Sequence, residues 1–221
     1  MNIFKGLITK ELVFLKSYKK NLILFVILAA MLCFLNDIIT SFMPVYIPLI
    51  LGMIATNSFV YDGQANSERY LLSFPLNKKD IIRTKYIYIL SFTVLGSILG
   101  IVFAIILQSI KDISLLNIDD IVSTGAGALF GMMILQMFQI PILIKFGYEK
   151  GKFIQMIVIV LIMMVASILS VTLIKITSLS LNEVLDMLKQ YGLYIIAIVT
   201  VLFYLLSYKI SYNIYKKKDS I

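Results

Sequence analysis

The chain has 221 residues, 60% of them hydrophobic, and it carries a formal net charge of +8. Its mean hydropathy of +0.96 is far above that of a soluble domain, so the composition indicates an integral membrane protein. The basic residues flank apolar runs instead of forming one stripe, which favours the anionic inner face of a bilayer over nucleic acid as partner. Cys33 is the single cysteine and histidine is absent, which excludes an intrachain disulfide and histidine or cysteine metal sites.

Residues 1–20 are basic and amphipathic. The apolar residues of this segment fall largely on one helical stripe: Ile3, Phe4, Leu7, Ile8, Leu12, Phe14 and Leu15. Its five lysines lie mostly off that stripe, which predicts a helix in the membrane interface with its apolar face down. The alternative is a simple cytoplasmic extension of the first span. No small-residue cleavage site follows the first apolar run, so we expect a retained span rather than a signal peptide.

Six apolar runs are long enough to cross a bilayer, which needs about 20 residues and at least about 17. The predicted spans are 22–39, 43–60, 86–107, 121–144, 153–174 and 191–208. We therefore predict an all-α, polytopic membrane protein whose residues 1–221 form a single transmembrane domain.

The basic residues also predict the orientation of the spans. With a cytoplasmic N-terminus, the inside segments hold five, five, three and four lysines and arginines, seventeen of the twenty in the chain. Positive charge accumulates on the cytoplasmic side of membrane proteins. We expect both termini, including the basic tail 209–221, to lie on the inner side of the cell membrane.

Residues 180–190 read SLNEVLDMLKQ and predict a short amphipathic helix on the outer surface. Ser180 and Glu183 have capping-box spacing. The apolar residues after the cap line one face: Leu181, Val184, Leu185 and Leu188. This helix either caps an exit path or merely returns the chain to the membrane.

The segment 61–85 is the charged, proline-broken connection between spans 2 and 3, predicted to be a cytoplasmic loop. Ser67 is placed to cap a short helix beginning at Glu68, and Pro75 should stop that helix near Ser73. Asn77, with Asp80 three residues later, is placed to start a second helix that enters span 3.

The short helix would present an apolar cluster ringed by charge, formed by Tyr70, Leu71, Leu72 and Phe74. A groove in a partner protein could grip such a cluster. From the residues alone, the alternative that these side chains dip back into the lipid interface is equally good.

The same segment resembles the ABC-2 type permease family, and in particular its small bacterial six-span branch. The resemblance rests on Tyr61-Asp62, Glu68, the run Tyr70-Leu71-Leu72-Ser73-Phe74-Pro75-Leu76, a basic pair, Asp80-Ile81-Ile82 and Lys85-Tyr86. It extends to the whole layout of basic N-terminal helix, six spans, loop and basic tail. Phe74 stands where the family usually has leucine, and Asn77-Lys78-Lys79 replaces a Ser-Arg-Lys-like run, which are mild departures.

The resemblance implies that the loop carries a coupling helix that docks on a separate ABC ATPase subunit. The residues that it assigns to docking are Glu68, Arg69, Tyr70, Leu72, Ser73, Phe74 and Pro75. It also implies that this permease pairs with a second copy or a paralogue. Members of the branch include exporters of amphipathic peptides in Gram-positive bacteria, such as bacteriocin self-protection systems and phenol-soluble modulin exporters. The uncharged spans fit a hydrophobic or amphipathic peptide cargo.

The sequence offers no catalytic constellation, so we expect ATP hydrolysis on a partner subunit and no cofactor in this chain. The nearest string to a P-loop, Gly147–Phe153, has three residues between its glycines instead of four and ends in Phe where Ser or Thr must hold magnesium. We interpret it as a tight basic turn between spans 4 and 5. Intramembrane acids are missing apart from Asp37 at a span edge, which argues against a proton-driven carrier.

Two small-xxx-small pairs, Gly96 with Gly100 and Gly127 with Gly131, let helix backbones approach closely. They serve either a dimer interface or, as we favour, packing within one subunit. Span 4 also carries Met133, Gln136, Met137 and Gln139, a candidate cargo path. Its glutamines should point inward because facing lipid is costly. The alternative is a glutamine hydrogen bond that locks two helices.

Two functions therefore remain open. The first is a permease subunit of an ATP-driven exporter. The second is a membrane immunity or sensor protein that transports nothing and binds a peptide or signalling partner. Dependence on an ATPase discriminates between them.

Overall fold

The computed structural model describes residues 6–13, 23–24, 27, 37–64, 77–111, 117–176 and 181–217. All regular structure in these ranges is helical. Residues 6–13 form α1. The other helices are α2 (Asp37–Thr56), α3 (Ser58–Gln64), α4 (Lys78–Lys111), α5 (Ile118–Ile176) and α6 (Leu181–Lys217).

Asparagines mark the starts of two long helices. The N–H groups of Asp80 and Ile81 donate to the Asn77 carbonyl at 2.9 and 3.3 Å, so α4 begins directly after Asn77, as predicted. At the start of α5, the Asn117 side-chain amide donates to the Asp120 carboxylate at 2.6 Å. This contact fixes the first turn of α5, and the carboxylate suits the positive end of the helix dipole.

Gly147 interrupts α5. Its φ of 73° and ψ of 176° are not helical, and they lie in a region that is essentially reserved for glycine. The interruption falls at the start of the basic segment 147–153, where the sequence predicts a turn between two spans. Residues 118–146 and 148–176 are therefore two helical segments joined at one glycine.

The chain divides into two compact units, Met1–Met133 and Ile134–Ile221. In the first unit, α4 packs on α2. The core of this unit contains Met43 of α2, Ala104 and Leu107 of α4, and Ile121 of α5.

Glycines of α4 lie in close contact with the backbone of α2 at its prolines. A Cβ atom built on Gly96 would lie 2.7 Å from Pro48 Cα, and one on Gly100 would lie 3.1 Å from Pro44 Cα. Since Gly96 meets Pro48 and Gly100 meets Pro44, the two helices run antiparallel. The first glycine pair therefore packs within one subunit, which is the alternative that the sequence analysis favours.

The second glycine pair has different surroundings. A Cβ atom built on Gly127 or on Gly131 would meet nothing within 4 Å, and both glycines are exposed. Identical spacing thus produces a tight helix contact in one case and an open face in the other.

In the second unit, α6 buries polar residues and exposes apolar ones. The buried stripe has the spacing of one helical face and consists of Thr200, Tyr204, Ser207, Ser211 and Tyr215. Leu202, Phe203 and Leu206, in contrast, are at least half exposed. This arrangement suits a helix that lies in lipid, where exposed apolar surface costs nothing.

A hydroxyl of that stripe donates to a backbone carbonyl of α5 that has no donor within its own helix. Ser207 Oγ donates to the Met137 carbonyl at 2.7 Å. In a regular helix this carbonyl would accept the N–H four residues later, but that residue is Pro141, which has none. The contact satisfies a backbone group that would otherwise be unpaired at membrane depth.

Within the described residues, four helices are long and apolar enough to cross a membrane. They are Phe42–Gly63, Lys78–Ile110, Ile118–Gly147 and Ile196–Lys217, and each overlaps one predicted span. Most of predicted span 22–39 lies outside the described residues. Predicted span 153–174 is helical as part of α5 but is not among these four.

The structure corrects two predicted boundaries. The expected outer helix 180–190 is not separate from the last span, because α6 continues from Leu181 to Lys217. The nearest helix breaker is Gly192, the second residue of the predicted span, and one glycine costs a helix only about 1 kcal/mol. The connection predicted to begin at residue 61 begins later, since 61–64 belong to α3, while 78–85 form the predicted second helix that enters span 3.

Candidate functional site

Four charged residues from three helices meet where α3 ends and α4 begins. We call Lys10, Glu11, Asp62 and Lys85 the charge cluster. Lys10 and Glu11 come from α1, Asp62 from α3 and Lys85 from α4. All four lie in the first compact unit.

Lys85 is the centre of the charge cluster. Its Nζ atom lies 3.2 Å from Glu11 Oε1, pairs with Asp62 Oδ2 and donates to Ser58 Oγ at 3.3 Å. It also lies 4.3 Å from the centroid of the Phe59 ring, within the range of a cation–π contact. An ammonium group has three donors, so these three oxygens use its full capacity.

Asp62 links the two lysines, because Oδ1 pairs with Lys10 and Oδ2 pairs with Lys85. The order of contacts is therefore Lys10, Asp62, Lys85, Glu11. Two cations and two anions alternate, so the charge cluster is electrically neutral. This matters because the side chains of Lys85 and Glu11 are only 8% and 6% exposed, and a net charge at such burial is costly.

The local helical pattern explains how these side chains meet. Ser58 and Phe59 lie four and three residues before Asp62 along α3, so both share a face with it, and all three contact Lys85. This face is presented because the helix restarts after Asn57, whose N–H donates to the Met53 and Ile54 carbonyls at 3.0 and 3.1 Å. The chain thereby enters α3 with Ser58 and Asp62 buried.

The other two helices bury matching faces. On α4, Lys85 lies between the buried residues Ile82 and Ile89. On α1, Leu7 and Glu11 are both buried and stand four residues apart, so α1 turns one face toward the unit's interior. Tyr88, one turn after Lys85, is buried too and packs its ring at 4.8 Å from that of Phe92.

The charge cluster joins the two helices that flank the connection between α3 and α4. We call the end of α3 at Asp62 and the start of α4 up to Lys85 the base of this connection. The ion pair between Asp62 and Lys85 holds the two ends of this connection together. Every residue that the resemblance assigns to ATPase docking falls within 65–76, outside the described residues. Their docking role stays a prediction, while the geometry of the loop's base is defined.

The residues of the candidate cargo path are mainly buried. Gln136 has no exposed surface, Gln139 and Met133 are each 5% exposed, and the Met137 carbonyl is held by Ser207. The glutamines thus lie in the protein interior. In this conformation such side chains pack closely, and their contact with cargo stays a prediction.

Glu11 is not among the predicted site residues, although it is the one acidic residue among residues 1–21. Its position four residues after Leu7, on the buried face, was the available signal. Asp62 and Lys85 entered the resemblance but were not recognised as partners of each other. No group of three or more His, Cys, Asp or Glu side chains suited to a metal ion exists in the described part of the chain.

The comparison with known families covers nearly the whole chain. The family profile described as "ABC-2 family transporter protein" matches residues 6–216, which include the three helices of the charge cluster and all but the last residue of α6. No curated protein and no solved structure is significantly similar to this chain. The match together with the apolar helices shows that the chain belongs to the ABC-2 family of transporter proteins, as a multi-pass membrane component of an ABC transporter.

Proposed function

We propose that this chain is the permease subunit of an ABC exporter that moves hydrophobic or amphipathic cargo, of which peptides are the expected class. A separate ATPase subunit docks on residues 65–76 and supplies the energy. Two permease chains, identical or paralogous, form the membrane pathway with six spans each and both termini on the cytoplasmic side. The family match supports the transporter part of this proposal.

The charge cluster is the observation that carries the docking part. A docking loop transmits force only if its base is rigid, since a floppy base would absorb the movement of the ATPase. Here Asp62 and Lys85 clamp the two ends of the connection, and Glu11 adds a third helix to the clamp. Separating a buried ion pair would leave each charge without its partner, which is strongly unfavourable. The two ends of the connection are therefore expected to stay together under load.

The peptide part rests on the nature of the spans. Gln136 and Gln139 lie among methionines on α5, and methionine adapts to apolar ligands of varied shape. Uncharged amides would contact the polar side of an amphipathic molecule without the cost of burying charge. We therefore assign the peptide's route to this face of α5 when the pathway opens.

Capture of an ATPase from detergent-solubilised membranes tests the proposal. The intact chain is compared with a triple variant, Tyr70→Ala, Leu72→Ala and Phe74→Ala. A second triple variant, Tyr194→Ala, Leu202→Ala and Phe203→Ala, is the matched control, because it removes the same three residue types from the exposed surface of α6.

We expect the intact chain and the control to retain an ATP-binding subunit and the 70–74 variant to lose it. Equal capture by all three chains would show that the ATPase docks elsewhere. If the intact chain captures no ATPase, the exporter proposal fails and direct peptide binding becomes the better hypothesis.

A further inference from the structure

The N-terminal helix α1 holds the base of the docking loop through its own pair of charges. Glu11 contacts Lys85 of α4 at 3.2 Å, and Lys10 contacts Asp62 of α3. Neighbouring residues of α1 thus hold opposite sides of the same base. A single contact would let α1 pivot, whereas two contacts to two helices fix its orientation.

The contact through Glu11 is the buried one. The Glu11 side chain is 6% exposed, while that of Lys10 is 34% exposed. The pair between Lys10 and Asp62 is part-buried, since Asp62 is 11% exposed, and water that reaches Lys10 weakens it. The Glu11–Lys85 pair is therefore the better shielded of the two attachments, and the buried Leu7 lies on the same face of α1.

We propose that α1 is a positioning element of the coupling machinery and that Glu11 is its positioning residue. The ion pair between Glu11 and Lys85 joins α1 to the α3–α4 base, so that the three helices move as one body. The link to coupling rests on the proposed function, because the loop transmits force only if an ATPase docks on it. The attachment itself does not depend on the ATPase.

Glu11 can be altered without breaking the clamp of the loop. In Glu11→Gln, Lys85 still pairs with Asp62, and Asp62 still pairs with Lys10. Glu11→Leu introduces an apolar side chain of similar size beside Leu7 and removes all polar contact at this position. Asp119→Asn is the control, since it removes one acid from an exposed position at the start of α5.

The distance between α1 and the start of α4 gives a direct readout. In a Cys33→Ser background, Leu12→Cys and Lys79→Cys place one spin label on each helix at exposed positions. Pulsed electron paramagnetic resonance then measures the distance distribution in nanodiscs that contain the full chain and no ATPase. Size-exclusion chromatography of each variant checks that the chain is folded.

We expect one narrow distribution for the parent and for Asp119→Asn. Both Glu11 variants should show a broad distribution, with the detached population raised at least about tenfold. A narrow distribution in both Glu11 variants would overturn the attachment. A broad distribution in Glu11→Gln alone would also overturn it, because apolar packing would then suffice to hold α1.

ATP hydrolysis by the captured ATPase provides the second readout. Glu11→Gln should capture as much ATPase as the parent but lose most of the permease-dependent stimulation of hydrolysis. Full stimulation alongside a broad distribution would refute the positioning role. Absence of any ATPase on the parent chain would refute the proposed function, while the distance measurement would still decide whether Glu11 attaches α1.

Discussion

Ser207 of α6 donates a hydrogen bond to the Met137 carbonyl of α5 at 2.7 Å, and this carbonyl is the one that Pro141 leaves without a helical donor. The proline and the serine lie on different helices of the same compact unit, so the sequence of neither helix shows the relationship. A buried carbonyl in the membrane needs a partner, and the second helix provides it.

A double-mutant cycle tests this relationship. Ser207→Ala should destabilise the chain by about 0.5–1.5 kcal/mol, because hydrogen bonds between membrane helices contribute this much. In a Pro141→Ala background the helix supplies its own N–H, so the same serine replacement should cost much less. The measurement is the thermal unfolding midpoint in detergent, with Ser91→Ala, at an exposed position, as control.

Equal losses from Ser207→Ala in both backgrounds would contradict this account. The serine would then act through packing alone, and the Met137 carbonyl would be satisfied in another way.

The contact between Gly96 and Pro48 predicts a large difference between two similar replacements. Gly96→Ala places its Cβ atom 2.7 Å from Pro48 Cα, so α2 and α4 must separate, at a cost of about 1–3 kcal/mol. Gly127→Ala meets nothing within 4 Å and should be neutral or slightly stabilising, because alanine favours helix. Thermal stability in detergent distinguishes the two, and equal midpoints would refute the packing argument.

Lys85→Met should be the most damaging single change in the charge cluster. It leaves Glu11 buried without its cation and removes one of the two cations of Asp62, at an expected cost of about 3–5 kcal/mol. Lys79→Met, at an exposed position six residues earlier, should leave the yield of folded protein unchanged. The yield is measured by fluorescence-detected size-exclusion chromatography.

Neutralising the acids should rescue that variant in part. Lys85→Met combined with Glu11→Gln and Asp62→Asn carries no unpaired buried carboxylate, so more folded protein is expected than from Lys85→Met alone. No recovery would mean that Lys85 acts through its packing on Phe59 rather than through charge.

The two buried glutamines of α5 predict a loss of transport without a loss of assembly. Gln136→Leu with Gln139→Leu removes the amides at little change in volume, so ATPase capture should stay at the parent level. Export of a fluorescent amphipathic peptide from vesicles should fall, because the polar face of the cargo loses its partners. Gln155→Leu, later in α5, is the control, and unchanged export by the double variant would exclude the cargo path.

Much of the fold follows from the sequence because the hydrophobic runs and the helix-start signals act locally. Asn77 marks the start of α4, and Gly147 supplies the backbone conformation that joins the two segments of α5. The break predicted before Tyr191 is absent, because propensity at one glycine is too weak to end a helix that continues on both sides.

The charge cluster could not be predicted in the same way. Lysines at the ends of spans already have an explanation in membrane orientation, so Lys85 needed no partner and nothing pointed to Asp62. Their pairing depends on how three separate helices pack, and each helix alone gives no sign of it. Gly96 and Gly127 begin glycine pairs of equal spacing, yet only Gly96 meets the backbone of a neighbouring helix. The spacing of glycines therefore does not predict which helix packs against them.

The prolines of α2 have a further consequence. Pro48 has no N–H to offer to the Pro44 carbonyl, and at this level the α4 backbone comes so close that a Cβ atom on Gly100 would lie 3.4 Å from that oxygen. A Cα–H group of α4 that contacts the Pro44 carbonyl would be a weaker donor than the amide that Pro48 lacks. The helix is therefore more compliant here than above or below, and bending of α2 should concentrate at this hinge. If an ATPase docks on the loop as proposed, a hinge within α2 would convert a push at the loop into a tilt of the part of α2 that precedes Pro44.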